Sequence, residues 1–154
     1  MVVEFQYDFK MIASQDCVDL VKFFEGFEGK AYLCPANVWT IGYGRTKNVQ
    51  EGDRITKVQA ERDLLEELEE FAEQVLNSVK VELTQNELDA LTSWTYNLGV
   101  GNLNSSTLLK KLNTGDKDSV PSEMLRWNKA AGKVLAGLTR RREAEAKLWA
   151  KVAG

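Results

Sequence analysis

The amino-acid sequence predicts a single α+β domain in which a small β-hairpin lobe and a larger helical lobe face each other across a cleft. Three observations support this fold class. The chain has 154 residues, 44% of them hydrophobic, which suits one compact core. A glycine-rich segment at 29–46 has strand character, and most of the later sequence has helical periodicity. A cleft between two such lobes is the natural ligand site. We assign 1–13 to an N-terminal extension, 14–56 to the first helix and β lobe, and 57–154 to the helical lobe.

The first predicted element is a short helix at 14–24, with apolar residues at helical spacing. Ser14 is a suitable N-cap because a serine oxygen can accept hydrogen bonds from the free amides of a first turn. Gly26 is a suitable stop just beyond the helix. Glu25 is therefore expected at the corner between this helix and the next strand.

The second predicted element is a β-hairpin at 29–46. Residues 31–33 and 38–44 are rich in aromatic and β-branched side chains, which favour strands. Residues 34–37 (CPAN) have the composition of a turn. We expect two antiparallel strands with a glycine-rich exit.

The remaining sequence predicts five helices. The first runs from after Thr56 to about Val79. Its predicted apolar stripe is Leu64, Leu65, Leu68, Phe71, Ala72, Val75, Leu76 and Val79, and its predicted solvated face is Glu66, Glu67, Glu69, Glu70 and Glu73. A capping box at Thr84 and Glu87 begins a central core helix that ends before Gly99. Shorter helices are expected at 107–112, 119–128 and 139–152.

The composition excludes several classes of protein. The chain has no histidine and only two cysteines, so a transition-metal site is not expected, and we expect no metal or other cofactor. Acid–base chemistry near neutral pH then falls to carboxylates, thiols, hydroxyls or amines. No apolar run is long enough for a membrane span, and residues 1–14 lack the pattern of a signal peptide. We expect neither membrane insertion nor a signal peptide.

An acid, a thiol and a hydroxyl are spaced around the predicted hairpin. Cys34 follows Glu25 by nine residues, and Thr40 follows Cys34 by six. Because a hairpin folds back on itself, Cys34 beside the turn and Thr40 on the return strand can both approach the corner that carries Glu25. Spacing alone does not establish catalysis.

With these residues the sequence resembles the phage-type lysozymes, or endolysins, which are grouped as glycoside hydrolase family 24. The resemblance covers nearly the whole chain and includes residues 39–44 (WTIGYG), 84–91 (TQNELDAL), 95–99 (TYNLG), 125–128 (LRWN) and 137–143 (GLTRRRE). It implies a lysozyme-like fold. It also implies hydrolysis of the β-1,4 bond between N-acetylmuramic acid and N-acetylglucosamine in bacterial peptidoglycan, which causes lysis of the host cell.

The resemblance also implies roles for the three spaced residues. The family has a glutamate, an aspartate or in some members a cysteine, and a threonine at this spacing, so this chain has the cysteine variant. Glu25 is then the general acid, which must hold its proton and is helped by burial beside aromatic neighbours. Cys34 stabilises the oxocarbenium-like state or activates the attack, and Thr40 positions the water. A nucleophilic Cys34 predicts retention of configuration, whereas a water held between Cys34 and Thr40 predicts inversion.

Two further residues are expected to line the cleft. In such lysozymes the segment carrying Tyr96 and Asn97 contacts the substrate, and an aromatic face beside an amide suits sugar rings and acetamido groups. The alternative is that Tyr96 packs in the core. One of Arg140, Arg141 and Arg142 is expected to approach Glu25, the alternative being a solvated basic face.

The first cysteine has two interpretations. Cys17 is expected in the core of the first helix. The alternative is a redox switch, in which a Cys17–Cys34 disulfide blocks the site until it is reduced.

Two rival functions remain open because the usual pair of carboxylates is incomplete. A lytic transglycosylase would use Glu25 alone and release an anhydro sugar, and a peptidoglycan-binding module would have no activity. Charge does not separate them: residues 1–100 carry a net charge of −9 and residues 101–154 a net charge of +6, and the basic end suits any anionic polymer. Nucleic acid is not expected, because the aromatic residues do not interleave with the basic ones.

The resemblance finally implies a cellular setting. We expect a monomer that stays in the host cytoplasm until a phage holin opens the membrane. The enzyme then reaches peptidoglycan in the periplasm.

Overall fold

The structure, a computed structural model, describes residues 10–152 and confirms the predicted α+β fold. Residues 1–9, which include most of the predicted extension and of the segment tested for a signal peptide, lie outside the described residues. In the described range the elements are α1 (Gln15–Glu25), β1 (Glu28–Leu33), β2 (Trp39–Gly42), α2 (Lys57–Ser78), α3 (Gln85–Leu98), α4 (Val100–Ser105), α5 (Thr107–Asn113), α6 (Val120–Leu125), β3 (Lys129–Ala130), β4 (Lys133–Val134) and α7 (Ala136–Ala150).

The predicted hairpin is confirmed. β1 and β2 pair antiparallel, with Tyr32 opposite Thr40 and Leu33 opposite Trp39. The N–H of Asn37 donates to the carbonyl of Cys34 at 2.8 Å and closes the turn. Cys34 therefore begins the turn, and Thr40 lies on the return strand.

The predicted central position of α3 is also confirmed. Its capping box is formed, since the side chain of Thr84 accepts from the Glu87 amide and the Glu87 carboxylate accepts from the Thr84 amide. The helix packs against α1, α2 and α7. Trp94 is fully buried and meets Trp127 edge to face, with ring centroids 5.3 Å apart. This contact lies in the core of the helical lobe, which also contains Trp149.

A second apolar cluster joins the two lobes. It contains Cys17, Val18 and Val21 of α1, Tyr43 of the β lobe, and Ala60, Leu64 and Leu68 of α2. The next turns of α2 place Ala72 and Val75 in the helical-lobe core instead. One helix therefore belongs to both cores, and the expectation that Cys17 is a core residue is confirmed.

Two predictions for α2 are wrong. Leu65 is 52% exposed, because its neighbour Leu64 already points at the core and successive helical side chains diverge by about 100°. Glu67 is not on a solvated face: Nη1 of Arg45 lies 3.4 Å from its Oε1 and 3.5 Å from Oδ2 of Asp63. The β lobe covers this part of the helix and brings Arg45 against it.

Ser14 is the N-cap residue of α1, as predicted, but its side chain makes no capping hydrogen bond. Its hydroxyl and its backbone N–H both donate to the carboxylate of Asp89 on α3. Ser14 thus ties the start of α1 to the central helix.

The later elements differ from the prediction in length. α6 ends at Leu125 rather than near 128, and α7 runs from Ala136 to Ala150 rather than over 139–152. α4 and the short β3–β4 hairpin were not expected, because each is too short for its periodicity to show. No helix in residues 10–152 is both long and apolar enough to cross a membrane.

Candidate active site

Glu25 is the last residue of α1 and lies in an open cleft of about 530 Å³. Its side chain is 21% exposed. The cleft is lined by the end of α1, by Asn97 of α3 and by the first turns of α7 with the residue that precedes them. A helix end, the central helix and the last helix therefore meet around one carboxyl group.

An arginine of α7 holds one side of that carboxyl group. Nη1 of Arg141 donates to Oε1 of Glu25 at 2.7 Å, and the Arg141 guanidinium lies 5.8 Å from the ring centre of Phe24. Arg141 and Arg142 are buried, and Arg140 is exposed. The expectation that one of the three approaches Glu25 is confirmed, and that residue is Arg141.

The backbone at Gly44 lies close to the other side of this carboxyl group. A Cβ atom at this position would lie 2.6 Å from Oε2 of Glu25 and 3.0 Å from its Cδ. The φ angle of Gly44 is also +84°, a conformation that side chains disfavour. Only glycine lets the β lobe approach Glu25 this closely.

Cys34 and Thr40 meet at the hairpin turn. The backbone amides of Val38 and Ala36 are the main causes that lower the pKa of the Cys34 thiol. Thr40 is 4% exposed, and its hydroxyl donates to the Val38 carbonyl at 3.0 Å. The turn thus provides a thiol with increased thiolate character beside a fixed hydroxyl.

Tyr32 links this turn electrostatically to Glu25. Desolvation raises the pKa of the Tyr32 phenol, and the negative charges of Glu25, Glu28 and Cys34 raise it further. Tyr32 also lies opposite Thr40 across the hairpin. The structure thus brings Cys34 and Thr40 together at the hairpin turn, whereas neither residue lines the cleft that contains Glu25.

The two cysteines have different surroundings. Both are free thiols, Cys34 partly exposed and Cys17 fully buried. Desolvation raises the pKa of Cys17, and the charge of Asp89 adds to the shift. A disulfide to Cys34 would have to take Cys17 out of the second apolar cluster.

The two residues predicted to bind substrate are placed differently. Asn97 lines the cleft, and its Oδ1 accepts a hydrogen bond from Arg142. Tyr96 is engaged within the protein: its hydroxyl donates to the Tyr43 carbonyl at 2.7 Å, and its ring packs edge to face on Phe71. The structure favours the alternative in which Tyr96 is a packing residue over direct contact with sugar.

A family model described as phage lysozyme matches residues 22–145, which include Glu25, Cys34, Thr40 and Arg141. The chain belongs to the phage lysozyme family. It is a lysozyme, the type of glycoside hydrolase that cleaves peptidoglycan.

This lysozyme is similar to phage endolysins and to a muramidase domain of known structure. It is 43% identical to the endolysin of Acyrthosiphon pisum secondary endosymbiont phage 1, over 90% of this chain and 98% of that protein. It is 42% identical to the endolysin of Bacillus phage B103 over 90% of its own length, but spans only 54% of that protein. Among solved structures, the muramidase domain of SpmX from Asticaccaulis excentricus matches with a TM-score of 0.86 at 35% identity, covering 93% of this chain and 100% of that one.

Sequence reasoning missed three residues around the lysozyme's Glu25: Gly44, Tyr32 and Glu145. Tyr32 could have been found from the hairpin register, which places it opposite Thr40. Glu145 could have been found from its position one helical turn after Arg141. The close approach of Gly44 depends on how the lobes pack and had no local signal. In residues 10–152, no group of three or more His, Cys, Asp or Glu side chains is arranged to hold a metal ion.

Proposed function

We propose that this lysozyme hydrolyses the β-1,4 bond between N-acetylmuramic acid and N-acetylglucosamine, with Glu25 as the general acid. The observation that carries the proposal is the placement of the Glu25 carboxyl group in the cleft, between Arg141 and Gly44. Contacts on two sides fix the orientation of the acid. A fixed acid can deliver its proton to a glycosidic oxygen bound in the cleft.

The proposed bond cleavage uses Glu25 in the cleft and Cys34 at the hairpin turn. Glu25 gives its proton to the glycosidic oxygen as the bond from that oxygen to the anomeric carbon breaks, which leaves an oxocarbenium-like centre. The lowered pKa of Cys34 increases its thiolate fraction, and a thiolate suits either stabilisation of that cation or activation of the attack. Attack by the sulfur predicts retention of configuration, and attack by water predicts inversion.

Thr40 and Asn97 have compatible roles. The Thr40 hydroxyl donates to Val38, so its oxygen lone pairs remain to hold the attacking water. The Asn97 oxygen is occupied by Arg142, so its amide N–H groups remain to bind a substrate acetamido carbonyl.

The test is mass spectrometry of the soluble fragments released from purified peptidoglycan by the wild type, Glu25→Gln and Cys34→Ala. Glu51→Gln, at an exposed loop position, and Cys17→Ala, at a buried one, are the matched controls. We expect fragments with ordinary reducing ends from the wild type and both controls, and none from the two site variants.

Other results would redirect the proposal. Anhydro sugars would indicate a lytic transglycosylase, and full release by Cys34→Ala would leave Glu25 acting without the thiol. Wall binding without release by the wild type would indicate a binding module.

We further propose that the enzyme acts as a monomer and waits in the host cytoplasm until a phage holin opens the membrane. Resemblance to phage endolysins supports this sequence of events. Expression in a bacterial host should leave the culture turbid until a holin is co-expressed, and lysis without holin would contradict the proposal. Light scattering should give a mass near 17.3 kDa, and twice that value would contradict the monomer.

A further inference from the structure

A network of buried charges on α7 lies directly behind Glu25. Glu145 and Arg142 are both fully buried, and Arg141 is 3% exposed. Because a buried charge without a partner is destabilising, the partners of each charged group in this network indicate what that group does.

Glu145 contacts both arginines. Its Oε2 accepts from the Ser93 hydroxyl at 2.6 Å and from Nε of Arg141 at 3.3 Å. Nε of Arg142 lies 2.9 Å from Oε1, an ion-pair contact in which neither atom makes a hydrogen bond. Two hydrogen-bond donors and a second cation therefore surround Glu145, as an ionised carboxylate requires. Burial raises the pKa of Glu145, and the two guanidinium groups and Ser93 oppose that shift.

The same contacts orient Arg141. Glu145 binds its Nε, and the Ser93 carbonyl accepts from its Nη2 at 3.3 Å. The remaining Nη1 reaches Glu25 at 2.7 Å. Glu145 thus holds the guanidinium at Nε, while Nη1 on its other side contacts Glu25.

When Glu25 is ionised, the charges in this network balance, because the cations Arg141 and Arg142 face the carboxylates of Glu25 and Glu145. When Glu25 holds its proton, one positive charge is left unbalanced. Burial lowers the pKa of Arg142 to about 10, so Arg142 stays protonated near neutral pH.

Other titratable groups face the network from α1, α3 and the β lobe. From α1, Cys17 is a buried thiol whose pKa burial raises, so it stays neutral. From α3, Asp89 is bound to Ser14, and the pKa of the Tyr96 phenol is raised by burial. From the β lobe, Tyr32 also has a raised pKa. Glu145 is therefore the group that neutralises the second arginine.

We propose that Glu145 is a positioning residue for the hydrolysis: it orients Arg141 against Glu25 and neutralises Arg142, so that the reacting carboxyl group faces one unbalanced positive charge rather than two. This inference rests on the proposed role of Glu25 as the general acid. Glu145 acts through Arg141.

The test measures protonation of Glu25 directly, by the ¹³C NMR signal of its carboxyl carbon, with the signal assigned by its loss in Glu25→Gln. Glu145→Gln leaves two unbalanced cations and should lower the protonation midpoint by about one pH unit, as expected for one charge at effective dielectric constants near 20. Arg142→Gln removes a cation and should raise it. The double variant should return the midpoint toward the wild type, and kcat of Glu145→Gln should fall at least tenfold.

Glu123→Gln is the matched control. Glu123 lies on α6 and is a similarly buried glutamate. It pairs with Lys111 at 3.0 Å and with Arg126 at 2.9 Å, and it makes no contact with Glu25 in the described structure. Its substitution should leave the Glu25 midpoint and kcat unchanged. A wholly structural role for Glu145 would make Glu145→Gln resemble this control.

An unchanged protonation midpoint of Glu25 in folded Glu145→Gln overturns the inference. If that variant does not fold, Arg142→Gln and the double variant carry the test, since adding Glu145→Gln to Arg142→Gln must lower the midpoint. An inactive wild type with the expected NMR shifts would instead contradict the proposed function and leave the charge coupling intact.

Discussion

The chemistry around Glu25 depends on contacts made by single residues. Gly44 lets the backbone of the β lobe touch the carboxyl group, and Arg141 contacts it from the other side. Cys34 lies at a turn whose amides favour its thiolate, whereas Cys17 lies in a core that disfavours it. Each of these contacts can be changed by one substitution that leaves the rest of the site in place.

Gly44→Ala should abolish most of the activity. The added Cβ would overlap Glu25 and displace it, and a displacement near 1 Å at a reacting group costs about 100-fold in rate. Gly52→Ala is the control, because Gly52 also has a positive φ, +89°, but nothing lies within 4 Å of its added Cβ. Both variants should lose about 1 kcal/mol of stability, and only Gly44→Ala should lose kcat. Equal activity in the two variants would contradict the role given to Gly44.

The two thiols should differ in reactivity. Because the pKa of Cys34 is lowered, its thiolate forms at lower pH than in a free cysteine, and alkylation by iodoacetamide should show a correspondingly low midpoint. Cys17 should react only after unfolding, because it is buried and its pKa is raised. Mass spectrometry of the native protein should find one modified cysteine, and Cys34→Ala should remove it. Modification of Cys17 in the folded protein would contradict its placement in the core.

At the scale of elements, α3 organises the molecule because every neighbouring helix of the site packs on it. Its first turn is closed by the Thr84–Glu87 capping box, and Glu87 also pairs with Lys117 at 2.9 Å. Its middle places Ser93 against Glu145, and its end carries Tyr96 and Asn97. α3 therefore makes specific contacts along its whole length, from the capped first turn to the residues beside the site.

Thr84→Ala should lower the free energy of unfolding by about 1 kcal/mol, the usual effect of removing a cap. Thr84→Ser keeps the oxygen that accepts from the Glu87 amide and should recover most of that loss. Chemical denaturation measured by circular dichroism compares the three proteins. A loss of equal size in Thr84→Ser would show that the cap does not contribute through its oxygen.

The sequence was sufficient where the interactions are local. The capping box, the Gly26 stop and the Cys34–Asn37 turn involve residues a few positions apart, and the predicted elements match there. It was insufficient where two lobes meet. Glu67 is covered by Arg45, and Tyr96 is drawn to the Tyr43 carbonyl, because the β lobe packs on α2 and α3. Likewise, the choice of Arg141 among three arginines depends on how α7 packs on α3 beside the end of α1.

At the scale of the whole molecule, the two lobes are held together by few but specific contacts. α2 contributes Leu64 and Leu68 to the second apolar cluster and Val75 to the helical-lobe core. The Tyr96 hydroxyl reaches across to the Tyr43 carbonyl, one residue before Gly44. We therefore expect the lobes to unfold together, and contacts between them to affect both stability and the site.

Tyr96→Phe should lower the free energy of unfolding by about 1 to 2 kcal/mol, because the Tyr43 carbonyl loses its partner in a buried position. Tyr32→Phe is the control for stability, since the Tyr32 hydroxyl makes no hydrogen bond within the described part of the chain and should change stability by less than about 0.5 kcal/mol. Denaturant midpoints of both variants test this, and equal values would contradict the contact between lobes.

The distribution of tryptophans between the lobes has a practical consequence. Trp94, Trp127 and Trp149 lie in or against the helical-lobe core, whereas Trp39 lies on β2. Intrinsic fluorescence of Trp39→Phe would therefore come from the helical lobe alone. Subtracting its emission from that of the wild type isolates a signal from the hairpin that carries Cys34 and Thr40, so an optical measurement can follow the β lobe separately while substrate binds.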